Sequence, residues 1–240
     1  MTLIVCLEGK DGLALVSDSR GTFGDPNNVT AQNDTIKKVH KVSEYVGVLV
    51  SGAGELSVSL IDELKQEIKN KSLVGVTPIL TELRDVATKR YSDWFKNGFL
   101  MQPAQGSDKP LRPVVNIIVA GYDVDANGNP TDRRIYSLNS LIDFAPQRHD
   151  YGFALGGVPQ YALYILNRLY TKDRTVDELI HLGVYTITET ASQDGKVGGP
   201  VQGLKITKQG KAAECAKGDI DVITKSNEKR SKRLKTSFFK

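Results

Sequence analysis

Cysteine, histidine and tryptophan are scarce in this chain, at two, three and one among 240 residues. Cys6 and Cys215 are too few for a disulfide framework, so a reducing cytoplasm is the expected compartment. The histidines, His40, His149 and His181, stand alone, and neither CxxC nor HExxH occurs. A zinc site therefore has no ligands to draw on, and no metal or cofactor is expected. No apolar run approaches the roughly 18 residues of a membrane span. The opening MTLIVCLEGKDG has no basic region ahead of its apolar stretch and no small-residue cleavage site, as a secretory signal would. Phosphate-cradling loops, EF-hand patterns and GxSxG are also missing.

The charge is unevenly placed. The whole chain is formally +4, but residues 225–240 hold seven Lys/Arg and one Glu, a net of +6. Residues 1–224 are therefore mildly acidic, at −2. A nucleic-acid binder spreads its cations over a folded face with aromatics between them. Here they sit at the end, so no nucleic-acid partner is expected. The sequence reads as one domain over 1–224 and a basic C-terminal tail over 225–240, frayed and solvated. Phe238-Phe239 is the tail's apolar handle.

Hydrophobic residues make up 40% and charged residues 25%, the balance of a globular chain. Residues 3–8 (LIVCLE) and 13–17 (LALVS) read as paired strands around a Lys10-Asp11-Gly12 turn. Their near-continuous apolar character suits strands covered on both faces. Residues 21–35 are rich in Gly, Asn, Asp and Thr and read as a loop. Segments 36–42 and 46–51 read as a second strand pair, broken by Gly52-Ala53-Gly54. Leu56, Leu60, Ile61, Leu64 and Ile68 then fall on one helical face, and Ile79, Leu80, Leu83, Val86, Ala87 and Tyr91 on a second helix. Residues 103–113 read as a polar loop, and 114–121, 134–139 and 151–155 as strands. A helix is expected over 160–171. Another opens with a capping box at Thr175 and Glu178 and ends before Asp194. Strands over 201–207 and 211–215 follow. Consecutive hairpins around pairs of helices argue for α+β layers, with a mainly antiparallel sheet pair.

Thr2 is the residue with the most chemistry to offer. Loss of Met1 would place a hydroxyl and a free α-amine on one residue. An α-amine with an unperturbed pKa near 8 is a usable base at neutral pH, and a Thr nucleophile served by its own amine hydrolyses amides. Asp18 follows the second strand, Lys38 enters the third and Gly52 leaves the fourth. A Lys beside the amine keeps it neutral and an Asp orients the Lys. A glycine lets a backbone N–H approach an oxyanion. His149-Asp150 could pair a base with an orienter, but it reads as a strand-end pair. Cys6 reads as buried.

The stretches TLIVCLEGKDGLALVSDSRGT, IKKVHKV, VGVLVSGAGE, GGVPQYALYIL, TVDE and ASQDGKVGGPVQGLKIT resemble a proteasome β-subunit of the N-terminal nucleophile hydrolases, over most of residues 2–207. The resemblance implies a four-layer α-β-β-α sandwich with two mainly antiparallel sheets between helical layers. It places the nucleophile on Thr2, the orienting acid on Asp18, the essential lysine on Lys38, the oxyanion N–H on Gly52 and a late supporting acid on Asp194. Thr22 would bind substrate backbone, Ile36, His40 and Val50 would line the specificity pocket, and Gly54, which reads as a turn glycine, would also be a substrate-binding residue. Similar proteins stack into homo-oligomeric rings that enclose their sites and take unfolded protein from an ATPase unfoldase.

Three features depart from the family's pattern. The loop between Arg20 and Lys38 is longer than expected. Gly stands at 156 and 157 and Val at 197, where the family carries hydroxyls. Maturation would need only loss of Met1. The expected activity is Thr-dependent peptide hydrolysis. A substrate-specific amidase or peptide ligase on the same fold, and a non-catalytic assembly subunit, are the alternatives.

Overall fold

The structure, a computed structural model, describes residues 2–24, 29–95 and 112–239. Strands β1 (Leu3–Glu8) and β2 (Gly12–Ser17) form a hairpin. A two-stranded ribbon follows, β3 (Gly21–Gly24) with β4 (Val29–Asn33). Next come β5 (Val39–Lys41) and β6 (Val46–Gly52), then helices α1 (Gly54–Lys71) and α2 (Val76–Phe95). Strands β7 (Val115–Val124), β8 (Pro130–Asn139), β9 (Gln147–Arg148) and β10 (Phe153–Gly157) lead to α3 (Gln160–Leu169) and α4 (Val176–Gln193). The chain closes with β11 (Gln202–Thr207), β12 (Lys211–Glu214) and α5 (Lys217–Phe238).

The two large sheets run in the orders β10-β1-β2-β11-β12 and β5-β6-β7-β8-β9, with antiparallel pairs throughout. Strand alternation divides the side chains among three cores. From β1, Leu3, Val5 and Leu7 pack against α3, α4 and α5, while Ile4 and Cys6 face the other sheet. From β6, Val46, Val48 and Val50 pack against α1 and α2, while Leu49 faces inward. Both strands are covered on both faces, which is why they read as continuous apolar runs. The architecture is a four-layer α-β-β-α sandwich. Each fully buried aliphatic side chain contributes about 1.5–3 kcal/mol relative to exposure. The capping box at Thr175 forms, with Glu178 N on Thr175 Oγ1 and Glu178 Oε2 accepting from Thr175 N.

Three expectations need correction. The loop expected over 21–35 contains the β3–β4 ribbon, in which Gly21–Gly24 and Val29–Asn33 pair their polar backbones, while 25–28 lie outside the described residues. The strand expected over 36–42 shrinks to Val39–Lys41. The Gln202 side chain takes the backbone there, donating to Ile36 O at 2.6 Å and accepting from Lys38 N at 2.9 Å, so it stands in for a strand partner. The terminus expected to fray from 225 is helical through Phe238, seated by Ile220, Ile223 and Asn227. The loop expected over 103–113 lies, up to 111, outside the described residues.

Candidate active site

Thr2 sits at the entry to β1 and is only 6% exposed. Its carbonyl accepts from Val158 N at 2.9 Å. Gly157, at φ +88°, has to be glycine: a Cβ there would meet Thr2 O at 1.7 Å. Sequence reasoning noted Gly157 as a departure and missed this role, the close approach of a backbone to the residue carrying the hydroxyl.

Asp18 lies immediately beyond β2 and is fully buried. One carboxylate oxygen, Oδ1, accepts from Leu3 N at 3.1 Å and from Lys38 Nζ at 2.8 Å. The other, Oδ2, accepts from Arg20 N at 3.2 Å and Gly198 N at 3.1 Å. Four donors on one carboxylate is the arrangement a buried charge needs.

Lys38 is 3% exposed and Lys37 is exposed. The Lys38 ammonium also donates to Arg20 O at 2.7 Å. Burial pushes it below the ordinary lysine value, and the neighbouring Asp18 carboxylate partly opposes that shift. Lys37 points outward to Glu214.

Gly52 ends β6 with φ +102°, and a Cβ there would meet Val114 O at 2.0 Å. Gly54 opens α1 with free space where a Cβ would sit. Val50 N donates to Lys38 O at 3.0 Å, so Val50 backs the lysine. His40 lies opposite Val48, on the side of the sheet that faces α1. Both its ring nitrogens are buried, and neither makes a well-formed hydrogen bond among the described residues. Burial first, then the charges of Lys65 of α1 and Lys37, push it down to about 4, with the nearby Lys37 backbone and then Asp62 opposing. Ile36 packs its side chain against Gly21, where a Cβ would meet it. Thr22 lies in the ribbon, opposite Gln32.

Asp194 is farther from the chemistry. It ends α4, and its Oδ1 accepts from Lys196 N at 2.9 Å within its own turn. That turn delivers Gly198, whose N–H reaches Asp18 and whose carbonyl accepts from Ser19 N and Arg20 N. Asp194 is thus tied to Asp18 through the turn it shapes. Gly198 and Gln202 were missed as site residues; the Gly-Gly pair at 198–199 was the available signal.

The ribbon is latched beside the site. Arg20 grips Asp34 through two bonds, Nε to Oδ1 at 2.8 Å and Nη2 to Oδ2 at 2.9 Å, and Nη1 donates to Gly195 O at 3.0 Å. Gln32 Nε2 donates to the same carbonyl at 3.3 Å. The Arg20 guanidinium holds the Asp34 carboxyl below the usual carboxylate range. His149-Asp150 is no base and orienter: Asp150 pairs with Arg148, while His149 shares hydrogen bonds with Tyr151 and Ser137. Cys6 is buried, and burial pushes its thiol up.

Among the described residues no cluster suits a metal ion, and no helix is long and apolar enough to cross a membrane. Met1, whose fate the nucleophile reading needs, lies outside them. The arrangement offers a Thr at a strand start, a buried Lys–Asp pair bonded to the peptide unit that follows it, and glycines at two close approaches.

The proteasome subunit family model matches residues 2–204. Proteasome subunit beta 2 of Sulfolobus acidocaldarius is 26% identical over 209 residues, covering 87% of this chain and 90% of the relative. Proteasome subunit beta of Archaeoglobus profundus is 28% identical over 231 residues, covering 94% and 93%. Among solved structures, Anbu (ancestral beta-subunit) from Yersinia bercovieri aligns at TM-score 0.74 and 15% identity, over 99% of this chain and 97% of its own. An Anbu (Gly-1) mutant from Hyphomicrobium sp. strain MC1 aligns at TM-score 0.71 and 15% identity, over 100% and 97%. These two likenesses are of fold.

Proposed function

The chain belongs to the proteasome subunit family, and from that premise we propose that it is a threonine peptidase whose nucleophile is Thr2. Loss of Met1 frees the Thr2 amine. Thr2 Oγ attacks the scissile carbonyl while the amine takes its proton and returns it to the leaving nitrogen. Water then hydrolyses the ester formed with the enzyme. The Lys38 ammonium is the proposed neighbour of this step, its charge favouring a neutral amine and an ionising hydroxyl. Asp18 holds that ammonium, and the Gly52 N–H is the proposed oxyanion donor. Such a donor is worth about 10²–10³ in kcat. Thr22, Ile36, His40, Val50 and Gly54 are the proposed substrate contacts, and Asp194 a positioning residue. No cofactor takes part.

The observation that carries the reading is the shared oxygen of Asp18. It accepts from Leu3 N and from Lys38 Nζ, which ties the lysine to the peptide unit that follows the nucleophile. The setting proposed for this activity is a cytoplasmic homo-oligomeric ring that receives peptides or unfolded protein, with an ATPase unfoldase as supplier.

The test is the intact mass before and after a peptide epoxyketone, a reagent that needs both hydroxyl and amine of an N-terminal Thr. Loss of Met1 with one adduct per chain is the expected result, and Thr2→Ala should take no label. A retained Met1 with no adduct would remove the nucleophile and leave the assembly-subunit alternative.

A further inference from the structure

One helix carries a seam that starts buried and ends bare. Along α5, Ile220, Ile223, Asn227, Ser231, Leu234 and Phe238 follow at three- and four-residue spacings and share one face. The first three are buried, and Ser231 Oγ donates to Glu189 Oε1 of α4 at 3.0 Å. Leu234 and Phe238 continue the same face yet are 57% and 75% exposed. The helix has 22 residues, about 33 Å at 1.5 Å each, so its last turns overrun the body that seats its first. Lys225, Lys229, Lys232 and Arg233 line the opposite face.

We propose that the last two turns of α5 are a strap that lies on the body of a second copy of this chain. The seam faces the side on which its own body lies, so whatever covers Leu234 and Phe238 must abut that body and continue its platform. A flat bilayer cannot do so, because the body stands in its way on that side. Two α5 helices cannot cover each other either, because residues 225–240 carry +6 each and would repel. The rest of a second copy is net −2 and attracts them. The contact therefore joins unlike surfaces, the end of α5 on one copy and the body of the other. It rests on the oligomer proposed above, not on the peptidase chemistry.

Native mass spectrometry and light scattering would compare the full chain with Leu234→Ala/Phe238→Ala, with a chain ending at Arg233, and with Val222→Ala. Val222 is exposed on α5 but lies off the seam. The full chain and Val222→Ala should assemble alike. The double variant and the shortened chain should dissociate at concentrations at least tenfold higher, with far-UV circular dichroism and thermal midpoint of the subunit unchanged. Unaltered assembly of both seam variants overturns the strap while leaving the oligomer standing. A monomeric full chain overturns the oligomer itself. Binding to phosphatidylserine vesicles that only the seam variants lose, with assembly unaltered, overturns the strap in favour of a membrane arm.

Discussion

Lys38 Nζ lies 2.8 Å from Asp18 Oδ1, and the two side chains are 4% and 0% exposed. A pair this deep gains little overall against its desolvation, but removing one partner strands the other. Lys38→Ala should therefore cost about 3–5 kcal/mol in urea unfolding and abolish epoxyketone labelling. Lys37→Ala breaks a pair exposed at 55% and 54%. It should cost about 1 kcal/mol or less and leave labelling intact. Equal effects from the two would sink the assignment.

His40 gives the fold an acid limb. Its pKa falls from an ordinary 6.5 to about 4. The unfolded chain therefore binds the proton first as pH drops. Stability is whole above about 6.5 and declines as pH falls toward 4, by about 3 kcal/mol at one pKa unit per 1.36 kcal/mol. The charges of Lys65 and Lys37 reinforce the direction, and the Lys37 backbone and Asp62 oppose it. Urea midpoints between pH 7 and 4 should show the slope in the native chain. His40→Leu should flatten it; an unchanged slope would assign the limb to other groups.

Gly157→Ala tests the approach to Thr2. A methyl there would sit on the Thr2 carbonyl at a φ that favours glycine. Labelling by the epoxyketone should fall at least tenfold, and the unfolding midpoint should drop, because strain of this kind costs about 1–3 kcal/mol. Full labelling would show that the β1 entry yields without harm.

The latch between Arg20 and Asp34 should set the exchange rate of the ribbon. Asp34 holds its proton less tightly in the folded chain. The latch is therefore whole above the ordinary aspartate pKa of about 3.9 and lost as pH falls through the lower folded value. Arg20→Met should raise amide hydrogen exchange across β3 and β4 while β1 and β6 keep their protection. Equal protection in the variant would leave the ribbon held by its backbone bonds alone.

The parts of this fold that were legible in the sequence are those whose partners are local or whose faces are apolar. Leu56 through Ile68 show α1 in their spacing, and Thr175 with Glu178 mark the start of α4 to the residue. Lys38 was chosen over Lys37 through the resemblance, and the strand proper begins only at Val39. What stayed hidden is non-local. Residues 21–35 look like a loop because nothing in them announces that Arg20 will hold Asp34. Gln202 ends a strand 164 residues away with its side chain. The helix α5 was concealed by its cations, since its seating rests on a few positions such as Ile220 and Ile223. The four-layer arrangement entered through resemblance and not through periodicity, which is blind to which sheet faces which.

The Asp18 carboxylate also sets a clock. One of its four donors is Gly198 N, 180 residues downstream. The strand leading to it, β2, lies between β1 and β11, so its second neighbour comes from the last quarter of the chain. At about 5–20 residues per second of synthesis, the N-terminal hairpin emerges many seconds before the segment that completes its sheet. Until then Lys38 also lacks Gln202. A nascent chain thus carries its threonine in an unfinished setting, and competence arrives only once nearly the whole polypeptide has left the ribosome.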